Sequence, residues 1–439
     1  MAGRGQREPE AEYETALAWL YGRQALGIKL GLGKVERLLE MAGTPQDQFR
    51  SLHVAGTNGK GSVTRMLAET LRRSGFKVGC TTSPHLVSFT ERIEVDGRPI
   101  SKPEVVRILH ELRPLVEALD RDAEPPTFFE VVTALAFCAF RDAGVAWAVV
   151  ETGMGGRLDA TNVLSPELTI ITNVTLDHEQ FLGRTVAGIA AEKAGIMKPG
   201  VPCVTACTGD ALKVLKARSH ELRAPMSILG GDYTLVPDPD HLVLLRPTGE
   251  SRYEVGLAGA HQRENAALVV AAAEALRAHG LAIPDRALRE ALRETRNPGR
   301  LETLKHGGAD VLIDGAHNPA AARALRQHLF AIGWSGFDLV AGFCADKRWQ
   351  EAVDEWLLPA ARLWAVPVRN PRSLDPDLLR AYGAEAGVRS TTAADALAAV
   401  DAAVQAGATR IVVAGSLFLA GEALAALQGR PLEEIRGTQ

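Results

Sequence analysis

Residues 51–71 read SLHVAGTNGKGSVTRMLAETL. Leu52 and Val54 mark a short apolar β run that stops at Gly56, and after Gly56-Thr57-Asn58-Gly59-Lys60-Gly61-Ser62 the apolar residues Val63, Met66, Leu67 and Leu71 recur at helical spacing. Strand, glycine loop and helix in direct succession make a phosphate cradle. The glycines let consecutive backbone N–H groups face one point, the helix N-terminus adds partial positive charge, Lys60 adds a full one, and the Ser62 hydroxyl can face a magnesium ion. Thr57, Asn58, Gly59, Lys60, Gly61 and Ser62 are therefore the candidate contacts to a nucleoside triphosphate.

The match to the general P-loop pattern is not formal. That pattern has a glycine six positions before the lysine and Ser or Thr directly after it, where this chain has Val54 and Gly61. A purely structural glycine turn is the alternative, and the strand-to-helix context favours the nucleotide. The loop variant resembles the Mur ligase superfamily, whose members activate a carboxylate with ATP and join it to an amine.

With 439 residues the chain exceeds one ordinary domain, and its 46% apolar content suffices for ordinary cores. Lys and Arg number 49 against 53 Asp and Glu. That balance points to neither nucleic acid nor a membrane surface as a partner. Cys80, Cys138, Cys203, Cys207 and Cys344 are odd in number and lack zinc spacing, which reads as buried free thiols in a reducing compartment. No signal-peptide core and no apolar run of membrane length occurs, so a cytoplasmic protein is expected.

Along the chain, an amphipathic helix (11–21), a glycine-broken loop and a second helix (34–41) precede the cradle. A strand over 77–82 follows it, then a hairpin in RIEVDGRPI turning at Asp96-Gly97, a helix near 104–119 and a mostly buried helix in PPTFFEVVTALAFCAFRDAG. WAVVET and LTIITNV are continuous apolar strands, ending near Glu151 and near Asn173, Asp177 and His178. Such strands alternating with helices imply a parallel sheet covered on both faces, with ligands beyond the C-terminal strand ends. A helix over 186–195, strand VPCVTAC, an irregular β-rich stretch (226–255) and helices over 262–279 and 283–294 complete the first part. Arg296-Asn297-Pro298-Gly299-Arg300 breaks the pattern, and β/α alternation then restarts without a second cradle. The expected fold is α/β: an N-terminal P-loop-type ATPase domain with a mostly parallel sheet (1–296), and a smaller C-terminal Rossmann-like α/β domain (297–439).

Phosphoryl transfer from ATP calls for magnesium, a hard ion suited by oxygen donors. Ser62, Ser83 and Glu151, each just past a strand, are the candidates. Glu151 also opens the glycine-rich run Glu151-Thr152-Gly153-Met154-Gly155-Gly156-Arg157-Leu158-Asp159-Ala160-Thr161-Asn162. That run, together with GTNGKGS, Ser83-Pro84-His85-Leu86, Glu91-Arg92-Ile93, Leu176-Asp177-His178, Glu192-Lys193-Ala194-Gly195-Ile196 and Asp314-Gly315-Ala316-His317-Asn318-Pro319, closely resembles the folylpolyglutamate synthase/dihydrofolate synthase family, from about Tyr13 to about Gly421.

The resemblance implies one magnesium on Ser62, Ser83 and Glu151, and a second on Glu151, His178 and Lys193, the lysine carbamylated because an ammonium cannot ligate a cation. Lys60, Lys193 and His178 become the catalytic candidates. Further nucleotide contacts come by resemblance from Asn265, Arg300, Asp314 and His317. The folate positions are Leu30, Gly31, Leu32, Arg92, Thr127, Phe128, Phe129, Glu130, Leu158, Asp159 and Ala160; read without the family, both Phe could equally be core residues of the following helix. Lys29 stands where some bifunctional members carry an acid, and Arg348 replaces an acid often seen after Asp346-Lys347.

The expected activity is an ATP- and magnesium-dependent ligase adding L-glutamate to a reduced folate, and also to dihydropteroate, through an acyl phosphate with release of ADP and phosphate. A monomer is expected. Alternatives are glutamate addition to folates only, a cell-wall Mur ligase, whose additional N-terminal domain has no counterpart in the fifty residues before the cradle, and a nucleotide-dependent switch without ligase chemistry.

Overall fold

The computed structural model describes residues 7–433 except 28, 30, 123, 247 and 248. The described residues fall into two compact units, one of residues 7–83, 90–256 and 262–296, the other of 84–89, 257–261 and 297–433.

The first unit is built on an eight-stranded sheet. In chain order its strands are β1 (Arg50–Ala55), β2 (Val78–Thr81), β3 (Ile93–Val95), β4 (Arg98–Pro99), β5 (Trp147–Glu151), β6 (Leu168–Ile171), β7 (Cys203–Thr205) and β8 (Met226–Ile228). They lie side by side as β4-β3-β2-β5-β1-β6-β7-β8. The six from β2 to β8 in this spatial order are parallel, and β3 and β4 add an antiparallel edge. β5 and β6 are buried at every position, as continuous apolar strings require. β1 is central and pairs Val54 with Glu151 and Ala55 with Ile171, so the loops after β1, β5 and β6 leave the same sheet edge side by side. The expected hairpin is present, with Asp96 and Gly97 both at positive φ as a two-residue turn demands.

The helix Lys60–Arg73 follows the cradle directly and buries Val63, Met66, Leu67 and Leu71. Phe128–Asp142 is buried along nearly its whole length and starts with a capping box, Thr127 with Glu130. Three features lay outside expectation. The helix Gly209–Leu222 buries only Ala211 and Leu215, too few apolar positions to stand out in the sequence. In the second unit, strand Glu302–His306 is half-exposed, and Arg389–Thr392 is a polar edge strand. A small antiparallel sheet accounts for much of the irregular stretch: β9 (Thr234–Val236), β10 (Leu242–Arg246) and β11 (Gly249–Tyr253).

The second unit has six strands, β12 (Glu302–His306), β13 (Ala309–Ile313), β14 (Phe337–Ala341), β15 (Ala360–Ala365), β16 (Arg389–Thr392) and β17 (Arg410–Ala414), in the order β12-β13-β17-β14-β15-β16. All pairs are parallel except β12 with β13. Alternate residues feed two cores: Val311, Ile313 and Val340 one face, Leu312, Leu339 and Val412 the other. Val87 joins the first of these cores, which explains why 84–89 groups with this unit.

Candidate active site

The loop after β1 is shaped by its neighbour. Thr57 N–H donates to Asn173 O (2.8 Å), Asn58 N–H to Asn173 Oδ1 (3.0 Å), and Thr172 Oγ1 to Asn58 O (2.6 Å). Thr172 and Asn173 thus form the back wall of the cradle, a role that no motif announced. Gly59 has φ +85°, and a Cβ there would strike Asn265 Oδ1. Only glycine both adopts that backbone and lets the Asn265 amide approach. Gln262 steadies the amide by accepting from Asn265 Nδ2 at 3.0 Å.

Both lysines singled out by the sequence converge on one carbonyl. Lys60 Nζ donates to Gly56 O (3.2 Å) and Thr57 O (3.4 Å), and Lys193 Nζ donates to the same Gly56 O (2.7 Å). Glu151, 5% exposed at the end of β5, sets Oε1 4.0 Å from Lys60 Nζ, while its Oε2 accepts from Ser83 N–H at 3.3 Å. Two cations and one carboxylate therefore share the mouth of the glycine loop. Lys193 is buried, which pushes its pKa down to about 7; the Lys60 charge pushes the same way, and Asp177 opposes it.

Lys193 is held by close packing of two glycines. A Cβ on Gly156 would lie 2.8 Å from Glu192 O and 2.9 Å from Lys193 O, and one on Gly195 would strike Arg157. Arg157 N–H donates to Glu192 O (2.7 Å), Arg157 Nη2 to Glu192 Oε1 (2.8 Å), and Asn162 Nδ2 reaches both Arg157 O (3.0 Å) and Gly195 O (3.1 Å). The glycine-rich run after β5 is thereby clamped to the turn that carries Lys193. His178 sits at positive φ at the start of the short helix Glu179–Leu182, its side chain 37% exposed, with Nε2 4.0 Å from Asp177 Oδ1.

Ser62 (buried), Ser83 and Glu151 carry hydroxyl and carboxylate oxygens, the donor chemistry that magnesium prefers, and the Ser83 N–H already meets Glu151 Oε2. Among the described residues no group of three or more His, Cys, Asp or Glu could hold a metal. A single carboxylate with hydroxyls suits magnesium, which completes its shell with water and phosphate oxygens. As an ammonium donating to Gly56 O, Lys193 does not fit a cation; as a carbamate it would.

At the expected folate positions, Leu30 lies outside the described residues, and Gly31 and Leu32 are partly exposed. Thr127 and Glu130 are buried and bonded to each other, Thr127 N–H to Glu130 Oε2 at 2.6 Å and Thr127 Oγ1 to Glu130 Oε2 at 2.8 Å. The two phenylalanines part company. Phe128 is buried and stacks on Tyr21 at 5.4 Å, while half-buried Phe129 lies over Gly153, where a Cβ would come within 2.5 Å of its ring. Arg92 is 1% exposed with its guanidinium 5.4 Å from the Phe128 ring centre; burial lowers its pKa against the pull of Tyr21, Glu151 and Glu91. Leu158 is partly exposed, and Asp159 and Ala160 are buried beside it. Arg23, which the sequence did not single out, anchors the turn before Thr127 by donating to Pro126 O (2.6 Å) and bridging Asp120.

In the second unit Asp314 is buried and accepts from Leu301 N–H (2.9 Å) and Ala316 N–H (2.8 Å); burial raises its pKa while Arg300 opposes. Arg300 is partly exposed, and His317 Nδ1 lies 2.9 Å from Gly315 O.

A cradle for phosphates on a parallel sheet, followed by a second α/β unit, is the build of a Mur ligase, and family models agree. The Mur ligase middle domain matches residues 54–273, and the Mur ligase glutamate ligase domain matches residues 299–417. The protein is an ATP-dependent ligase that forms amide bonds. The chain belongs to the folylpolyglutamate synthase/dihydrofolate synthase family. It is 40% identical over 354 residues to the dihydrofolate synthase/folylpolyglutamate synthase of Bacillus subtilis, covering 78% of this chain and 82% of that one. The Mycobacterium tuberculosis folylpolyglutamate synthase complexed with ADP superposes with a TM-score of 0.89 at 33% identity, over 97% of this chain and all of the other. E. coli FolC in complex with DHPP and ADP superposes at 0.84 with 26% identity, over 94% and 98%.

Proposed function

We propose that this ligase adds L-glutamate to the γ-carboxylate of a reduced folate and also to dihydropteroate. The observation that carries the reading is the meeting of Lys60 and Lys193 on Gly56 O beside Glu151, at a glycine loop after a central parallel strand. The names of the relatives supply the substrate class.

In this reading a substrate carboxylate oxygen attacks the γ-phosphorus of ATP, the bond to the β-γ bridging oxygen breaks, and ADP leaves. The glutamate amino nitrogen then attacks the acyl phosphate carbon and loses a proton, and phosphate departs with the C–O bond electrons. Lys60 and the loop N–H groups hold the charge on the transferring phosphoryl group. Thr57, Asn58, Gly59, Gly61, Ser62 and Asn265 orient the nucleotide; Arg300, Asp314 and His317 are nucleotide contacts by the family resemblance alone. Ser62, Ser83 and Glu151 would hold one magnesium, and Glu151, His178 and carbamylated Lys193 another; magnesium when bound supplies charge neutralisation of the phosphates. The folate is taken by Gly31, Leu32, Arg92, Thr127, Phe128, Phe129, Glu130, Leu158, Asp159 and Ala160, with Phe129 the ring exposed enough to stack on a pterin.

The enzyme is read as a cytoplasmic monomer. Its five cysteines are free and buried, and among the described residues no helix is long and apolar enough to cross a membrane. The test is a product assay with ATP, magnesium and labelled L-glutamate, run with dihydropteroate and with tetrahydrofolate in parallel. Label in both products with equimolar ADP is expected. Label with tetrahydrofolate alone makes the enzyme monofunctional, and label with neither overturns the reading.

A further inference from the structure

His53 lies on β1 three residues before the cradle, with no exposed surface. Its Nε2 is 2.8 Å from Thr161 Oγ1. Asp159 Oδ1 takes the single Thr161 hydroxyl proton at 2.5 Å; burial pushes the Asp159 carboxyl's pKa up, while the hydrogen bonds from Thr161 and Met154 push it down. The histidine must therefore donate through Nε2–H, which leaves Nδ1 as the bare nitrogen, and Nδ1 is buried with no hydrogen-bond partner. Burial, with a smaller push from Lys198, lowers the pKa to about 3, so the ring stays neutral.

A leucine or valine would fill this position without stranding a nitrogen, so packing alone does not account for a histidine. The donor does. Asp159 carries the relay onward: Oδ1 also accepts from Thr161 N–H (3.0 Å), and Oδ2 accepts from Met154 N–H (2.8 Å) across the glycine-rich loop. We propose that His53 is a positioning residue which, through Thr161, fixes the Asp159 carboxylate and with it the backbone of the loop Gly153–Asp159. That this loop meets the folate rests on the function proposed above; the relay itself rests on the bonds described here.

The test uses the full-length chain with His53→Leu, His53→Gln, Thr161→Val and Thr161→Ser. Backbone hydrogen exchange over residues 153–161 is followed by mass spectrometry, and KM is measured separately for folate and for ATP. His53→Leu and Thr161→Val are expected to speed exchange in that segment and to raise the folate KM about tenfold with the ATP KM unchanged, a loss on the scale of one hydrogen bond. His53→Gln, whose Nε2 can still donate, and Thr161→Ser should restore both readouts. His53→Leu/Thr161→Val should be no worse than the worse single variant, since both break one chain of bonds. Unchanged exchange over 153–161 in a folded variant overturns the relay, as do folate and ATP KM values that rise together. Should His53→Leu fail to fold, Thr161→Val carries the same two readouts. If the wild type joins glutamate to neither folate, the proposed function fails and the exchange measurement still decides the relay.

Discussion

At the scale of single residues, Lys193 is the buried lysine of the candidate site. Its nitrogen is buried against Gly56 O and repelled by Lys60, and its pKa falls to about 7 where an ordinary lysine holds its proton to 10.5. Only the neutral amine attacks CO2, so on the carbamate proposed above, activation of CO2-depleted enzyme at a fixed concentration of dissolved CO2 should quicken as pH rises through about 7. Lys193→Ala should abolish turnover and leave the circular dichroism spectrum unchanged. The same shift has a stability consequence. Above about 7 the folded chain releases a proton that the unfolded chain keeps, so the unfolded state binds more protons and stability rises with pH. In CO2-free buffer, between pH about 7 and about 8.5 and so below the usual cysteine range, the denaturant midpoint of the wild type should climb relative to that of Lys193→Met. A parallel pair of curves would show that Lys193 is not an ammonium buried at a cost.

At the scale of elements, two devices can be separated. Thr127 and Glu130 close a buried capping box on the helix Phe128–Asp142. Thr127→Ala should cost about 1 kcal/mol in chemical denaturation, the usual worth of an N-cap. A much smaller loss would mean that the cap is dispensable and that Thr127 serves the substrate alone. The glycine-rich loop is gripped differently, by backbone against backbone, since Gly156 faces the carbonyls of Glu192 and Lys193. A methyl there cannot be absorbed by a rotamer change, and Gly156→Ala should destabilise the protein by about 1–3 kcal/mol, the range for overpacking. It should also lower kcat, because the displaced turn carries Lys193. Loss of stability with kcat intact would separate the loop from Lys193.

At the scale of the whole molecule, each unit has its own sheet and core, and the phosphate loop belongs to the first. Nucleotide binds the folded chain only, so ADP at about a hundred times its dissociation constant should add about 2.7 kcal/mol and raise the thermal midpoint by about 3 °C. Lys60→Ala should shrink that shift. A full shift in the variant would place the phosphates away from Lys60. The strand-by-strand order of each sheet was only partly legible: alternation of apolar strands with helices predicts parallel pairing, but β12 and β16 are short, polar edge strands that lack the apolar strings of the central ones.

The chain's own order of residues determined the strand, glycine loop and helix at 50–73 and the parallel α/β class, and it marked Lys60 and Glu151 as candidates, because backbone conformation and charge are local properties of residue type; Lys193 was legible only through the family resemblance. Tertiary structure alone decided that Thr172 and Asn173 wall the cradle, that Lys60 and Lys193 meet on one carbonyl, and that Val87 belongs to the core of the second unit. The physical reason is the parallel sheet. It sets side by side strand ends that lie about a hundred residues apart in the chain, and no local pattern of spacing records which ends become neighbours.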